Sequence, residues 1–153
     1  MSGTFSQIYL QIVFSVKGRE NMILSDFEEE VYKYIAGIIS KNGQKSLAVN
    51  GMPDHVHIFI GLNPSMRISD LVRDIKCNAT NFINDKNWLK QKFCWQTGYG
   101  IFSYSRSEIG MVVDYIKNQK EHHRKKTFKE EYTDLLKKFQ IEFKDEYLFE
   151  FYD

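Results

Sequence analysis

Hydrophobic and polar residues alternate, fall into helical stripes, and then alternate again along most of this chain. Phe5 to Val16 reads as a strand, because side chains two apart on a strand share a face. Ser25 stands where a helix N-cap belongs, and Glu28 three residues on completes a capping box. The helix it opens carries Phe27, Val31, Tyr34, Ile35 and Ile38 on one stripe and ends near Asn42 and Gly43. Leu47 to Asn50 predicts a short strand, Gly51 to Asp54 a turn, and His55 to Leu62 an alternating strand, so the pair forms a hairpin. Ser69 opens a helix to about Asn84 with Leu71, Ile75, Ala79, Phe82 and Ile83 on its apolar side. Tyr99 to Tyr104 is another strand, and Ser107 opens a third major helix that runs to about His123.

The order strand, helix, strand, strand, helix, strand, helix predicts an α+β fold. The expected form is a ferredoxin-like antiparallel sheet of split β-α-β type, with helices on one face and an added C-terminal catalytic helix. No repeat or low-complexity tract divides the chain, and its two prolines, Pro53 and Pro64, mark no boundary. Residues 1–153 therefore read as a single domain. Residues 129–153 form a C-terminal packing segment, part helix through Tyr132, Leu135, Leu136 and Phe139 and part extended tail.

A 15% aromatic share is high; it suits a strand-rich core and also platforms for stacked bases. The net charge of +1 hides an asymmetry: residues 1–128 hold 17 basic and 12 acidic side chains, residues 129–153 four and eight. A mildly basic body suits a nucleic-acid partner, although many unrelated domains share the asymmetry. Cys77 and Cys94 lack the spacing of a metal knuckle. The start of the chain does not read as a signal peptide, and Ile8 to Val16 is too short to span a membrane. The expectation is a cytoplasmic protein with reduced thiols and no membrane partner.

His55 and His57 flank Val56 on a strand, so both imidazoles face one way, about 6.6 Å apart along it. Such a pair can chelate one divalent metal; two solvated histidines would look the same in sequence. On the third helix Ile109, Val112, Val113 and Ile116 form the apolar stripe. Tyr115, Gln119 and His122 form a second stripe beside it, which also fits the boundary of any amphipathic helix. Joined, the two elements suit phosphoryl transfer, which needs a cation against an anionic phosphodiester. His55, His57 and the Gln119 side-chain oxygen could hold the cation, and Tyr115, one turn from Gln119, could be the nucleophile. A phenol ionises near pH 10 and needs help to lose its proton; the acceptor is not legible.

Three ordered runs sharpen this reading: Met52 to Ile60 (MPDHVHIFI), Phe93 to Ser103 (FCWQTGYGIFS) and Tyr115 to His123 (YIKNQKEHH). In these runs the chain resembles the IS200-like family, the single-tyrosine HUH transposases of the smallest bacterial insertion sequences. The likeness extends over nearly the whole length, through Phe149. It implies an enzyme that binds single-stranded DNA hairpins at transposon ends, cuts one strand and keeps a 5′-phosphotyrosine link at Tyr115. It implies His55, His57 and Gln119 as ligands of Mg²⁺ or Mn²⁺, and a homodimer in which Tyr115 can serve the partner's histidines. Expected DNA contacts are Arg73 and Lys76 on the second helix and Lys117, Lys120 and Arg124 around the tyrosine, with Lys125 and Lys126 beside them. Lys17, Arg19 and Lys45 could widen that basic face, and His122 or His123 could assist the site.

Three other readings compete. Histidine-triad nucleotide hydrolases need a further histidine where this chain has Phe59. A domesticated, repeat-associated branch of single-tyrosine transposases is closer. A non-catalytic ferredoxin-like nucleic-acid module that stacks bases on its sheet would give no reason for His55, His57, Tyr115 and Gln119 to occur together.

Overall fold

In the computed structural model, which describes residues 3–18 and 23–152, four strands form one antiparallel sheet in the order β2-β3-β1-β4. The strands are β1 (Tyr9–Ser15), β2 (Lys45–Met52), β3 (His55–Gly61) and β4 (Gly100–Tyr104). Helix α1 (Glu28–Lys41) links β1 to β2, and α2 (Ile68–Lys86) links β3 to β4. This is the ferredoxin-like topology that the element order predicts. The β2–β3 connection is the expected tight hairpin, with Met52 paired to His55. Gly51 is required in it: a Cβ there would lie 2.2 Å from the His55 carbonyl oxygen.

The pleat sorts side chains to two faces. On one, Ile12, Phe14, Val56, Ile58 and Ile60 meet Val31, Ile35 and Ile39 of α1 and Leu71, Ile75 and Ala79 of α2 in the main core. On the other, His55 pairs with Ser15, His57 with Val13 and Phe59 with Gln11. That face is covered by three more helices, α3 (Ile109–Lys117), α4 (Gln119–His122) and α5 (Phe128–Lys138). Val112 and Ile116 of α3 pack on Ala48 and Phe59. Phe139 at the end of α5 lies 5.0 Å from the Phe102 ring, and Tyr132 covers Gly100 so closely that a Cβ there would fall 2.6 Å from its hydroxyl. Helices therefore cover both faces of the sheet, the first two connecting helices on one and the added helix with the expected C-terminal packing helix on the other. The stripe of α5 is Phe128, Tyr132, Leu135 and Leu136, all buried.

Local starts also differ. Helix α1 begins at Glu28 with Phe27, not Ser25, in the cap position and no capping side chain. Phe27 is buried, stacked on Trp88 at 4.4 Å, and Glu28, Glu29 and Glu30 face the positive end of the helix instead. Tyr34, expected in the stripe, is 38% exposed and stacks on Phe82 at the rim. The third helix is preceded by a single 3-10 turn, Arg106–Glu108, capped by Ser105 rather than Ser107, with the Ser105 N–H donating to Glu108 Oε1 at 2.9 Å. It does not run unbroken to His123: Asn118 ends α3 and opens α4. Among the described residues no helix is long and apolar enough to cross a membrane.

Candidate active site

Strand β3 is buried along nearly its whole length, and His55 and His57 are fully enclosed rather than solvated. Each ring is anchored through Nδ1. His55 Nδ1 lies 2.7 Å from Asp54 Oδ1, and His57 Nδ1 lies 2.8 Å from Gln11 Nε2. Gln11 is itself fixed, because its Oε1 accepts from the Tyr104 hydroxyl at 2.7 Å. Such partners set the orientation of an imidazole and aim the opposite nitrogen. Both Nε2 atoms point at one carboxylate oxygen, Glu131 Oε1, at 3.2 Å for His55 and 3.0 Å for His57.

Sequence reasoning missed Glu131. It comes from α5, 74 residues from His57, and is buried. Its second oxygen, Oε2, accepts from Gln119 Nε2 at 2.9 Å and from the Tyr115 hydroxyl. His123 Nε2 adds a third imidazole contact to Oε1 at 3.0 Å. A signal for this was present. Glu131 lies three residues after Phe128 and four before Leu135, so an acid occupies a position in the apolar stripe of α5.

The other expected residues fall into two groups. Tyr115 and Gln119 join the histidines: the Tyr115 ring lies 5.9 Å from that of His57, and Gln119 Oε1 lies 3.2 Å from His55 Nε2. Gln119 is fully buried and Tyr115 partly so, with Gln119 three residues beyond the buried Ile116. His122 stays exposed, with its ring 4.5 Å from that of Tyr115. Beside them opens a cleft of about 600 Å³ lined in part by Tyr104, Met111, Tyr115, His122, Lys126 and Lys138. The basic residues are mostly engaged elsewhere. Lys76 donates to the Gln96 and Gly98 carbonyls, and burial lowers its pKa to about 8. Lys120 pairs with Glu28, Arg73 with Asp70 and Arg124 with Glu121. Lys117 is exposed, and Lys45 lines a separate groove beside Gly61 and Asn63. Arg19 lies outside the described residues.

Burial and charge act against each other here. Burial opposes charge on His55, but hydrogen bonds to Asp54 and Glu131 prevail and carry its pKa to about 9. Burial lowers that of His57, against the pull of the Glu131 charge. Burial would lift the Glu131 carboxyl, yet the imidazoles of His57, His123 and His55 hold it well below the usual carboxylate range. Burial and the adjacent Glu131 charge push the Tyr115 phenol above its ordinary value. A cation would oppose the raised values of His55 and Tyr115, repelling protons from imidazole and phenol alike, and would reinforce those of His57 and Glu131. The donor set fits one: His55, His57 and Glu131 offer ligand atoms within 4.8 Å of one another.

Comparison with known proteins gives the chain a family. The family model described as "Transposase IS200 like" matches residues 4–119. The chain belongs to the IS200-like transposase family. It is thus a single-tyrosine transposase, and in its fold the Tyr115 ring stands edge-on to that of His57. This transposase is 25% identical over 122 residues to the ISDra2 transposase TnpA of Deinococcus radiodurans, covering 76% of this chain and 87% of that one. Two solved structures share the fold. One, described as a candidate transposase of Deinococcus radiodurans R1, aligns with a TM-score of 0.63 at 22% identity, over 78% of this chain and 95% of that chain. The other is a REP-associated tyrosine transposase bound to a REP hairpin, with a TM-score of 0.58 at 19% identity, over 80% and 74%.

Proposed function

We propose that this transposase cuts and rejoins single-stranded DNA at the hairpin-bearing ends of an insertion sequence, inside the cell, through a covalent bond at Tyr115. The observation that carries the reading is the meeting of the Tyr115 hydroxyl, Gln119 and both HUH imidazoles around one buried carboxylate. The Tyr115 oxygen attacks phosphorus, the bond to the departing 3′ oxygen breaks, and a 5′-phosphotyrosine and a free 3′-hydroxyl result. Attack by a 3′-hydroxyl on that phosphotyrosine reverses the exchange and frees the phenol.

His55, His57 and Gln119 are suited to hold Mg²⁺ or Mn²⁺, with Asp54 and Gln11 keeping the rings oriented. Bound there, a divalent ion supplies positive charge to the phosphate oxygens. Gln11 must turn its amide to accept from His57 Nδ1–H when His57 Nε2 is a ligand, and the Tyr104 hydroxyl can accept in exchange. Glu131 Oε2 holds the Tyr115 proton at a defined atom, which fixes the phenol beside His57. Lys117, Arg124, Lys125 and Lys126 surround the tyrosine helix and are suited to DNA phosphates, and His122 closes one wall of the cleft.

The test is a hairpin-bearing single-stranded oligonucleotide with Mn²⁺. A covalent protein–DNA band is expected from the native chain and none from Tyr115→Phe; an equal band from Tyr115→Phe would overturn the assignment. A homodimer that exchanges its tyrosine helices is the expected assembly. The contact of Tyr115 with its own chain's His57 favours a second reading, a monomeric enzyme of the repeat-associated kind. Mixing His57→Ala with Tyr115→Phe chains separates them. Cleavage returns if sites are shared and stays absent if each chain completes its own.

A further inference from the structure

Helix α5 lies beyond the residues that the family model matches, which end at 119, yet it brings a carboxylate to the middle of the site. The two oxygens of Glu131 face different partners. Oε1 faces the Nε2 atoms of His55, His57 and His123; Oε2 accepts from Gln119 and from the nucleophile Tyr115. We propose that Glu131 is itself a ligand of the metal ion, through Oε1, while Oε2 keeps the Tyr115 hydroxyl, so that the ion fastens helix α5 over the site. This rests on the metal-dependent reading above and adds a ligand and a consequence to it.

Spacing supports the inference first. Two ligand atoms about 2.1 Å from an ion and at a right angle to each other lie about 3.0 Å apart. Glu131 Oε1 already lies 3.0 and 3.2 Å from the two imidazole nitrogens. Ligands of one ion that stand side by side show such separations, so an ion would sit off these N···O lines and take the place of the N–H hydrogen bonds once the rings turn toward it.

Charge supports it second. Two neutral imidazoles and an amide leave a buried divalent ion uncompensated, whereas a carboxylate removes half of that charge and is the harder donor. A mixed set of two imidazoles and one carboxylate also suits Mn²⁺ better than Mg²⁺, which prefers oxygen ligands and keeps its water.

Rigidity supports it third. Glu131 does not reach in on a loose arm. On the same helix Phe128 stacks on the His55 ring at 3.8 Å and Tyr132 sits on Gly100. The carboxylate is thus delivered by packing that exists apart from its own hydrogen bonds.

The alternative is that Glu131 is a plug. An ion would then expel it, free α5 and rely on Gln119. Titration of the full chain with Mn²⁺, followed by calorimetry and by amide hydrogen exchange, separates the two. Loss of an outer-shell partner weakens metal binding roughly 10- to 100-fold, so a Glu131→Ala change that removes a ligand should weaken it more than about 100-fold. Should Glu131→Ala fail to fold, Glu131→Gln keeps the volume and is expected to lose at least about tenfold. In the native chain Mn²⁺ should slow exchange across Phe128–Lys138, and in Glu131→Gln that slowing should disappear. Unchanged Mn²⁺ affinity in both variants, or faster exchange in α5 when Mn²⁺ binds, would overturn the inference and leave the two-histidine metal centre standing. No Mn²⁺ binding by the native chain would overturn both.

Discussion

Both faces of the sheet are buried, but only one buries a polar cluster beside its apolar contacts. Beneath it, Ile12, Phe14, Val56, Ile58 and Ile60 meet α1 and α2 with apolar atoms. Above it, Gln11, Ser15, His55, His57, Gln119 and Glu131 lie in the interior too, all below 4% exposure. Burial alone therefore does not distinguish core from site. The apolar face needs only volume and shape, because dispersion and the hydrophobic effect have no direction. The polar face needs a partner for every buried atom, and it has them: Asp54 and Gln11 for the outer nitrogens, Glu131 for the inner ones. Its strict geometry is what makes it usable for chemistry.

The sharpest break of the comparison removes a single oxygen from the polar face. Tyr115→Phe should lower strand cleavage by at least about four orders of magnitude, since nothing replaces the nucleophile. Hairpin binding, measured by gel shift, should persist, because the rest of the site is untouched.

Neighbouring residues on β3 test the two faces against each other. Ile58→Ala opens a cavity in the fully buried core and should cost roughly 2–5 kcal/mol, read as a lower denaturant midpoint. His57→Ala should abolish cleavage at a smaller stability cost. Glu131 retains His55, His123, Gln119 and Tyr115 as partners after that change. A larger stability loss from His57→Ala than from Ile58→Ala would mean that the polar face is the structural one.

Titration moves the polar face alone. The folded pKa of His55, about 9, lies above its unfolded value near 6.5, so its contribution is fully present below pH 6.5 and is lost as pH rises to 9. Glu131 is shifted the other way; its contribution is present above the ordinary carboxylate range and is lost only as pH falls well below it. Melting temperature measured in chelator should therefore fall between pH 6.5 and 9, by the equivalent of on the order of 3 kcal/mol at most. Because a ligand imidazole must be unprotonated, Mn²⁺ affinity should rise across the same window. A flat melting curve there would show that His55 is not charged against Asp54 and Glu131.

The smallest effect is expected outside both faces. Lys117→Ala should weaken hairpin binding modestly and lower the salt dependence by about one phosphate contact, equally for all sequences. Lys76→Ala should instead disturb the Gln96–Gly98 segment to which its ammonium is tied.

By itself the sequence determined the parts whose signal is local. The alternation of His55 to Leu62, the apolar stripes of the first two connecting helices and the hairpin at Gly51 to Asp54 are written in short-range periodicity, and the sheet order follows from them. For the HUH pair and Tyr115, spacing on one strand and one helix set only their direction; it was the resemblance of three ordered runs to the IS200-like family that singled them out. Only tertiary structure decided which residues meet. Gln119 is fully buried where α5 meets it and its Nε2 donates to Glu131 Oε2, just after a helix break at Asn118 that no glycine or proline announces. Glu131 enters because α5 packs Tyr132 and the following Phe139 on β4 and carries one acid into the gap between the imidazoles. On a helix with three acids and three lysines, only its place in the apolar stripe distinguishes Glu131 in sequence. A packed interior, with three imidazole N–H groups to satisfy, gives it a site.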